Sequence, residues 1–539
     1  MYLKTLTQKN KSDGRVRKYL QIVESRRVNG SPRQKVLLSL GRIDTPEGKK
    51  LLEGLAEAFI QASERHSLLD MRKDIKAHST KEFGTTLIFR RIWQDLGLAE
   101  LLSSEMSEVE TEFDLPEAVF NMVLNRLSEP SSKRQLETWQ KSVEGIESFD
   151  LHQYYRALDY LVNRKHALEK RLFSRMRDLF CADVDIILFD TTTVAYYGDS
   201  DKHEDLLEYG FSKIRRGDLK QIVVGVIMSK QGIPLGHEVF EGNRNDVTCF
   251  SKIIDQVSEK YKVDRVIMVG DRGMVSKNNI RHLEQKNYKY ILGYRMRTIP
   301  QEDRHKVFSE KEFRKLKNVE LQFKEATYDG KRLIVCYSEE RAEKDRLHRE
   351  NILERIKDKI KSGKLSAIVD NTHYKRFLRI RGEKPVIDTD KVKRDAIYDG
   401  MFVLTTNTNQ SAVSVVEAYK DLWQVELAFR QLKSELEMGP IYHWKDRRIR
   451  AHVMICFLAF VLRTVFYKKL KKKDRNVSYT AVMADVKALR TCEVSVKGQK
   501  IKLRTELEQG AVKAFRAIGM RPPSHLLSKV TLEGVVIRQ

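Results

Sequence analysis

The runs VDIILFD (184–190) and VDRVIMVGD (263–271) decide the fold class. Each is a continuous apolar stretch, rich in β-branched residues, that ends on an aspartate. Strands of a sheet covered on both faces read this way. Working outward, QIVVGVIMS and IPLGHEVFEGN follow the first run as two further strands. A helix is then expected near 247–260, another near 276–286, and the strand YKYILGYRM after it. Strands that begin adjacent and then alternate with helices give a mixed α/β sheet flanked by helices. Open α/β sheets hold their ligands outside the carboxyl ends of strands. Asp190 and Asp271, read as the last residues of their runs, are therefore candidate ligand-binding carboxylates.

The rest of the chain divides around this core, which is read as 183–296 and 401–466. Residues 1–70 predict a small antiparallel sheet and a helix. Short alternating runs are punctuated by Asp13-Gly14 and Asn29-Gly30-Ser31, and Thr45-Pro46 opens a helix over about 47–65. Residues 71–182 are read as mostly helical, from RQLETWQKSV, HQYYRALDYLV and EKRLFSRMRDLF. They are a candidate DNA-binding region, with a plain helical scaffold the equal alternative. Residues 297–400 form a charged block with the strand-like runs VELQFKEA (319–326) and KRLIVCYS (331–338), and it reads as an insertion. It carries a helix over about 339–362, capped by Ser338, stopped by Gly363 and striped with Leu353, Ile356 and Ile360. A long helix over about 411–437 and an apolar one near 450–467 follow. Residues 467–539 are a basic C-terminal region opening on KKLKKKDR (468–475), a run that is more often solvated than functional.

A chain of 539 residues exceeds one ordinary core, and about two to four structural units are expected. With 41% hydrophobic residues it buries substantial cores, which excludes a disordered chain. Lys and Arg number 100 against 75 for Asp and Glu, a net charge of +25 that favours polyanionic partners. A protein that is merely basic is the alternative. The five cysteines lack zinc spacing and suggest no disulfide framework. The first residues lack the apolar segment of a secretory signal, so the expected location is cytoplasmic. VMICFLAFVLRTVF (453–466) is shorter than a membrane span and carries Arg463, so it reads as a buried helix with no membrane partner.

The third candidate carboxylate lies on the helix SAVSVVEAYKDLWQVELAFRQLKSELEMG (411–439). If the helix is continuous, Tyr419, Leu422, Glu426, Arg430 and Lys433 share one stripe, and Trp423 and Leu427 supply part of the buried face. Alone, that stripe is better read as an amphipathic helix with a Glu426–Arg430 pair. Joined to two strand-end aspartates, it makes a three-carboxylate set of the kind that holds Mg²⁺ through hard oxygens while phosphates and water complete the shell. Tyr419 and Lys433 are then phosphate contacts, since Lys offers only donors. The basic loop GFSKIRRGDLKQ (210–221) presents Lys213, Arg215 and Arg216 to DNA, with plain surface exposure the even alternative. Thr191, Thr192 and Thr193 are given a positioning role. Asp218, Asp246 and Asp399 also lie near strand ends, where loop carboxylates are usually solvated. His237 and His452 read as hydrogen-bonded core histidines.

FDTTT around Asp190, VGDRG around Asp271 and YKDLWQVELAFRQLK around Glu426 resemble the three blocks of bacterial insertion-sequence DDE transposases. The third block is similar to the Tyr-x2-Arg-x3-Glu-x6-Lys motif of one large group of them. Tyr419, Glu426 and Lys433 match by spacing, and Leu422 stands where the motif has arginine. Arg430, one turn beyond Glu426, is the proposed substitute. YGFSKIRRGDLKQIVVGV, PLGHEVFEGNRND and MGPIYHWKDRRIRAHVMICFLAFVL are also similar to the family. The resemblance implies a ribonuclease-H-like core interrupted between the second Asp and the Glu. It also implies Asp190, Asp271 and Glu426 as the catalytic, metal-holding triad, with two Mg²⁺ or Mn²⁺ ions. Arg272, in VGDRG, joins the candidate DNA contacts. The expected partners are terminal inverted repeats, target DNA and a second copy in a synaptic homodimer, nucleoid-associated when bound. Two other readings are a ribonuclease-H-like nuclease without strand transfer, and a DNA-binding protein with a vestigial triad.

Overall fold

The computed structural model describes residues 1–10, 13–28, 31–62, 75–105, 111–180, 185–199, 201, 203–213, 216–261, 266–308, 313–315, 321–362, 372–381, 384–496 and 499–527. They fall into two units: Met1–Lys81 with Arg490–Glu506 and Pro522–Gln539, and Glu82–Leu489 with Leu507–Arg521.

In the first unit, β1 (Tyr2–Lys9), β2 (Val16–Val28) and β3 (Ser31–Arg42) form the antiparallel meander expected from their alternation. The helix Pro46–Ala62 follows, with Thr45 Oγ1 accepting from Gly48 N at 3.1 Å as its cap. The mostly helical reading of 71–182 did not include β4 (Ile75–Glu82). This strand pairs far away in sequence, with β16 (Arg490–Val496), which in turn pairs with β17 (Gln499–Arg504). A mostly exposed strand of IKAHSTKE carries no apolar alternation to announce it, because its order comes from the distant partner.

The second unit is built on a nine-stranded sheet. Its members are β5 (Ile186–Ala195), β6 (Gln221–Ser229), β7 (Pro234–Glu241), β8 (Ile267–Gly270), β9 (Lys289–Tyr294), β10 (Arg314–Lys315), β11 (Gln322–Tyr328), β12 (Lys331–Tyr337) and β15 (Met401–Thr406). The order is β10-β11-β12-β15-β9-β8-β5-β6-β7. β5, β6 and β7 run antiparallel to one another in turn, whereas β8 is parallel to β5 and β9 parallel to β8. That half of the sheet is the ribonuclease-H-like mixed arrangement. β6 is buried along its whole length and β5 nearly so, which explains their unbroken apolar runs.

Part of the charged block 297–400 belongs to this same sheet, since β10, β11 and β12 extend it beyond β15. The remainder holds the helix Glu339–Lys361 and the hairpin of β13 (Leu378–Arg381) and β14 (Lys384–Ile387). Ile352, Ile356, Phe377 and Leu378 pack into a small core of their own, with Leu353 and Ile360 partly buried against it. The helix Asp446–Lys473 is long and apolar enough to cross a membrane, and 94% of its apolar window is buried inside the protein. It packs on β7 and on the helices Leu115–Ser128 and Leu151–Leu161. His237 is buried 2.8 Å from Glu169, and His452 Nε2 lies 3.0 Å from the Met438 carbonyl, so both are core histidines as expected. Cys249, Cys336, Cys456 and Cys492 are free thiols.

Candidate active site

β5 does not end at Asp190, as the sequence suggested. The three β-branched threonines carry it on to Ala195, so the carboxylate sits mid-strand, opposite Val226 of β6. On the other side β8 stops at Gly270. The crevice opens where β8 ends, and Asp190 stands there although its own strand continues. The parallel register pairs Leu188 with Val269; carried two residues further, it sets Asp190 opposite Asp271. Adjacent strands lie about 4.8 Å apart, which brings two carboxylates within reach of a shared ion.

Both aspartates line a cleft of ≈ 850 Å³ together with Arg272, Tyr419, Leu422 and Glu426. The single helix predicted over 411–437 is divided. Ala412–Lys420, capped by Ser411, is followed by a break at Asp421–Leu422, then by the helix Trp423–Arg430 and a π-helical turn over Gln431–Glu435. The extra residue in the π turn alters the rotation between Glu426 and Lys433, so the five-residue stripe does not hold. Val425, Ala428, Phe429 and Leu432 form the buried face instead of Trp423 and Leu427; Trp423 is 56% exposed. Arg430 is exposed and is not among the residues lining the cleft. Gln424 Nε2 donates to the Lys230 carbonyl at 2.6 Å, fixing the Glu426 helix to the turn after β6.

Tyr419 Oη donates to Asp271 Oδ1 at 3.1 Å, and its ring stacks on Phe402 with centroids 6.2 Å apart. Burial, then the Asp271 charge and this hydrogen bond, push the phenol well above its ordinary value, so it remains a donor. The contact needs a glycine in β9: a Cβ on Gly293 would lie 2.8 Å from Arg272 N and 2.9 Å from Tyr419 Oη.

Around Asp190 stands a residue that the sequence reading set aside as a solvated loop carboxylate, Asp246. This first residue of the helix Asp246–Tyr261 accepts a hydrogen bond from Thr191 Oγ1 and lies 3.8 Å from Lys213 Nζ. Lys213 Nζ also donates to the Thr191 carbonyl at 2.7 Å, and Lys213 N donates to Thr193 Oγ1 at 3.2 Å. The threonines thus tie the basic loop to the strand, in keeping with their positioning role. Its place near a strand end was legible, but its partners were not, because they lie on other elements. Burial raises the Asp190 pKa to about 6; Lys213 and the Thr191 amide oppose the rise, and the Asp246 and Asp271 charges add to it. Lys433 is brought near Lys213, and its pKa falls through burial and then that like charge. Arg216 is exposed and pairs with Asp218 at 2.7 Å, while Asp399 pairs with Arg349. Arg215 lies outside the described residues.

Among the described residues, no three His, Cys, Asp or Glu side chains stand close enough to form a ready-made metal site. The chemistry present nevertheless fits a hard divalent cation. Asp190 carries the desolvation and repulsion that such an ion relieves, and all three candidate donors are carboxylates on one cleft.

Residues 183–462 match the family described as the transposase DDE domain, and residues 3–67 match the IS1634 family transposase N-terminal domain. No curated protein matches the chain. Among solved structures, a piggyBac transposase synaptic complex with hairpin DNA has a TM-score of 0.39 at 11% identity, covering 75% of this chain and 79% of that one. The Mos1 transposase paired-end complex with left transposon end has a TM-score of 0.15 at 13% identity, covering 34% and 60%. The DDE match spans more than half of the chain, contains both strand aspartates and Glu426, and is preceded by a match to a transposase N-terminal domain; this protein belongs to the DDE transposases, in the IS1634 family of insertion sequences.

Proposed function

We propose that Asp190, Asp271 and Glu426 are the carboxylates with which this transposase cuts DNA at the ends of its element and joins the freed 3′-hydroxyl to target DNA. The observation that carries this reading is Asp190 on β5 and Asp271 directly after the parallel neighbour β8, on one cleft with Glu426. DDE transposases generally need divalent metal ions. Here the three carboxylates would hold Mg²⁺ or Mn²⁺, two ions in all. When bound, such ions activate an attacking hydroxyl and stabilise the departing oxygen of a phosphoryl transfer.

The chain's own groups orient this chemistry. Tyr419 occupies one oxygen of Asp271, and among the described residues the other takes no hydrogen bond. Lys213, anchored by Thr191, holds a positive charge beside Asp190 where a phosphate would enter. Lys433 and Arg272 add cations, and Arg216 contacts the DNA backbone from the loop. Arg430, off the cleft, serves only DNA running outside it. The partners are terminal inverted repeats and target DNA, held by two copies of the chain in a synaptic complex. The place of action is the cytoplasm, at the nucleoid.

The test is Asp190→Ala with labelled element ends and Mg²⁺. End binding is expected to persist while cleavage and strand transfer fall by at least about a thousandfold, as for loss of a principal charge-stabilising group. Undiminished cleavage overturns the assignment.

A further inference from the structure

Asp246 opens the helix Asp246–Tyr261, where an acidic residue ordinarily serves the helix end. Here its neighbour already does so. Asn245 Oδ1 accepts from Thr248 N at 2.9 Å, and the Asn245 carbonyl accepts from Cys249 N at 3.1 Å, which makes Asn245 the cap. The Asp246 carboxylate is turned to three other elements. It accepts a hydrogen bond from Thr191 Oγ1 on β5, and it lies 3.8 Å from Lys213 Nζ on the basic loop. Its Oδ2 stands 3.0 Å from where a Cβ on Gly273 would be, in the turn after Asp271. Asn279 clamps the same helix to that turn: its buried amide donates to the Val247 and Met274 carbonyls, both at 2.9 Å.

Thr191 is the node through which Asp246 reaches the cleft. Its amide N–H donates to Asp190 Oδ1 at 2.7 Å, and its carbonyl and hydroxyl oxygens accept from Lys213 Nζ at 2.7 and 3.1 Å. A threonine hydroxyl has one proton to give. Directed to Asp246, that proton leaves the lone pairs of Oγ1 to the Lys213 ammonium. Without Asp246 the hydroxyl is free to rotate, and Lys213 loses a fixed acceptor. The direct attraction between Lys213 and Asp246 is the lesser part, because their side chains are 35% and 32% exposed.

We infer that Asp246 is a positioning residue for DNA cleavage: through the Thr191 hydroxyl it fixes the Asp190 carboxylate and the Lys213 ammonium, and it braces both against the turn that follows Asp271. In this role it holds no metal and touches no DNA. The inference rests on the transposase reading of the cleft.

The test is single-turnover cleavage of labelled element ends at saturating Mg²⁺, read beside end affinity and melting temperature. Asp246→Ala and the near-isosteric Thr191→Val are each expected to slow cleavage roughly ten- to a hundredfold, with end affinity within about twofold. The double variant should be slower than the slower single by no more than about twofold, since both changes break one connection. Asp246→Asn keeps an oxygen for the Thr191 proton and should recover cleavage to within about threefold. Asn245→Ala removes the helix cap instead, and should lower the melting temperature while cleavage stays within about twofold. Wild-type rates in Asp246→Ala or Thr191→Val, effects that multiply in the double variant, or a cap variant that cleaves as poorly as Asp246→Ala overturn the inference. So does an Asp246→Asn variant that fails as Asp246→Ala does, which would make Asp246 a direct metal ligand. In each of these cases Asp190→Ala still abolishes cleavage; if it does not, the cleft reading itself falls.

Discussion

Asp190 is held against its own charge. Largely buried, and with two other carboxylates close by, it takes a pKa of about 6 in the folded chain against an ordinary value of 3.8. Because the folded value lies above the unfolded one, the stabilising contribution of the protonated group is present below about pH 4 and is lost as pH rises through about 6. In metal-free buffer at about pH 8, Asp190→Asn is therefore expected to raise unfolding stability by roughly 2–3 kcal/mol. The gain should shrink towards zero near pH 4, as read by denaturant melts; a gain independent of pH would rule out the buried charge as its cause. The sequence made Asp190 and Asp271 legible because each breaks an apolar run. It offered Asp246 only as a strand-end carboxylate expected to be solvated, because the hydrogen bond to Thr191 joins residues 55 apart in the chain.

At the scale of the element, the helix bearing Tyr419 depends on its packing against β9. Gly293→Ala puts a Cβ into backbone and phenol at under 3.0 Å, and one of the two must move. The expected cost is about 1–3 kcal/mol of stability. The displaced Tyr419 should also lower single-turnover cleavage several-fold at saturating metal. Tyr419→Phe separates the two effects, since it removes the hydrogen bond without the clash. If Gly293→Ala cleaves normally, the Tyr419–Asp271 contact is not needed. The helix carrying these residues was legible in its span but not in its winding. Helical periodicity records which positions are apolar, and it cannot register a break at Asp421–Leu422 or a π turn sustained by neighbours. Strand β4 escaped for the same reason, since its partner supplies the order that its own residues do not.

For the molecule as a whole, a net charge of +25 implies DNA binding driven by counterion release. If six to ten phosphates are engaged, affinity for an element end should fall by roughly a thousandfold or more between about 50 and 200 mM salt. A slope of log affinity against log salt shallower than about −2 would show that the charge serves some other purpose. The sheet that carries Asp190 and leads into Asp271 also carries β10 to β12, so part of the charged block and the carboxylates share one continuous framework. From sequence, VELQFKEA and KRLIVCYS in the block 297–400 read as strands, and the block read as an insertion because nothing local shows that they pair into the core sheet.

The pairing of β4 with β16 sets a timetable for synthesis. By the time Glu82 has left the ribosome, some 408 residues still separate it from Arg490. At about 5–20 residues per second, the strand waits roughly 20–80 s for its neighbour. Throughout that interval a nascent chain exposes an unpaired edge, which makes it a client for chaperones. Fragments released before β16 never complete this sheet. A population of ribosome-released products would then sort itself, the finished chains folding this unit and the shorter ones being cleared.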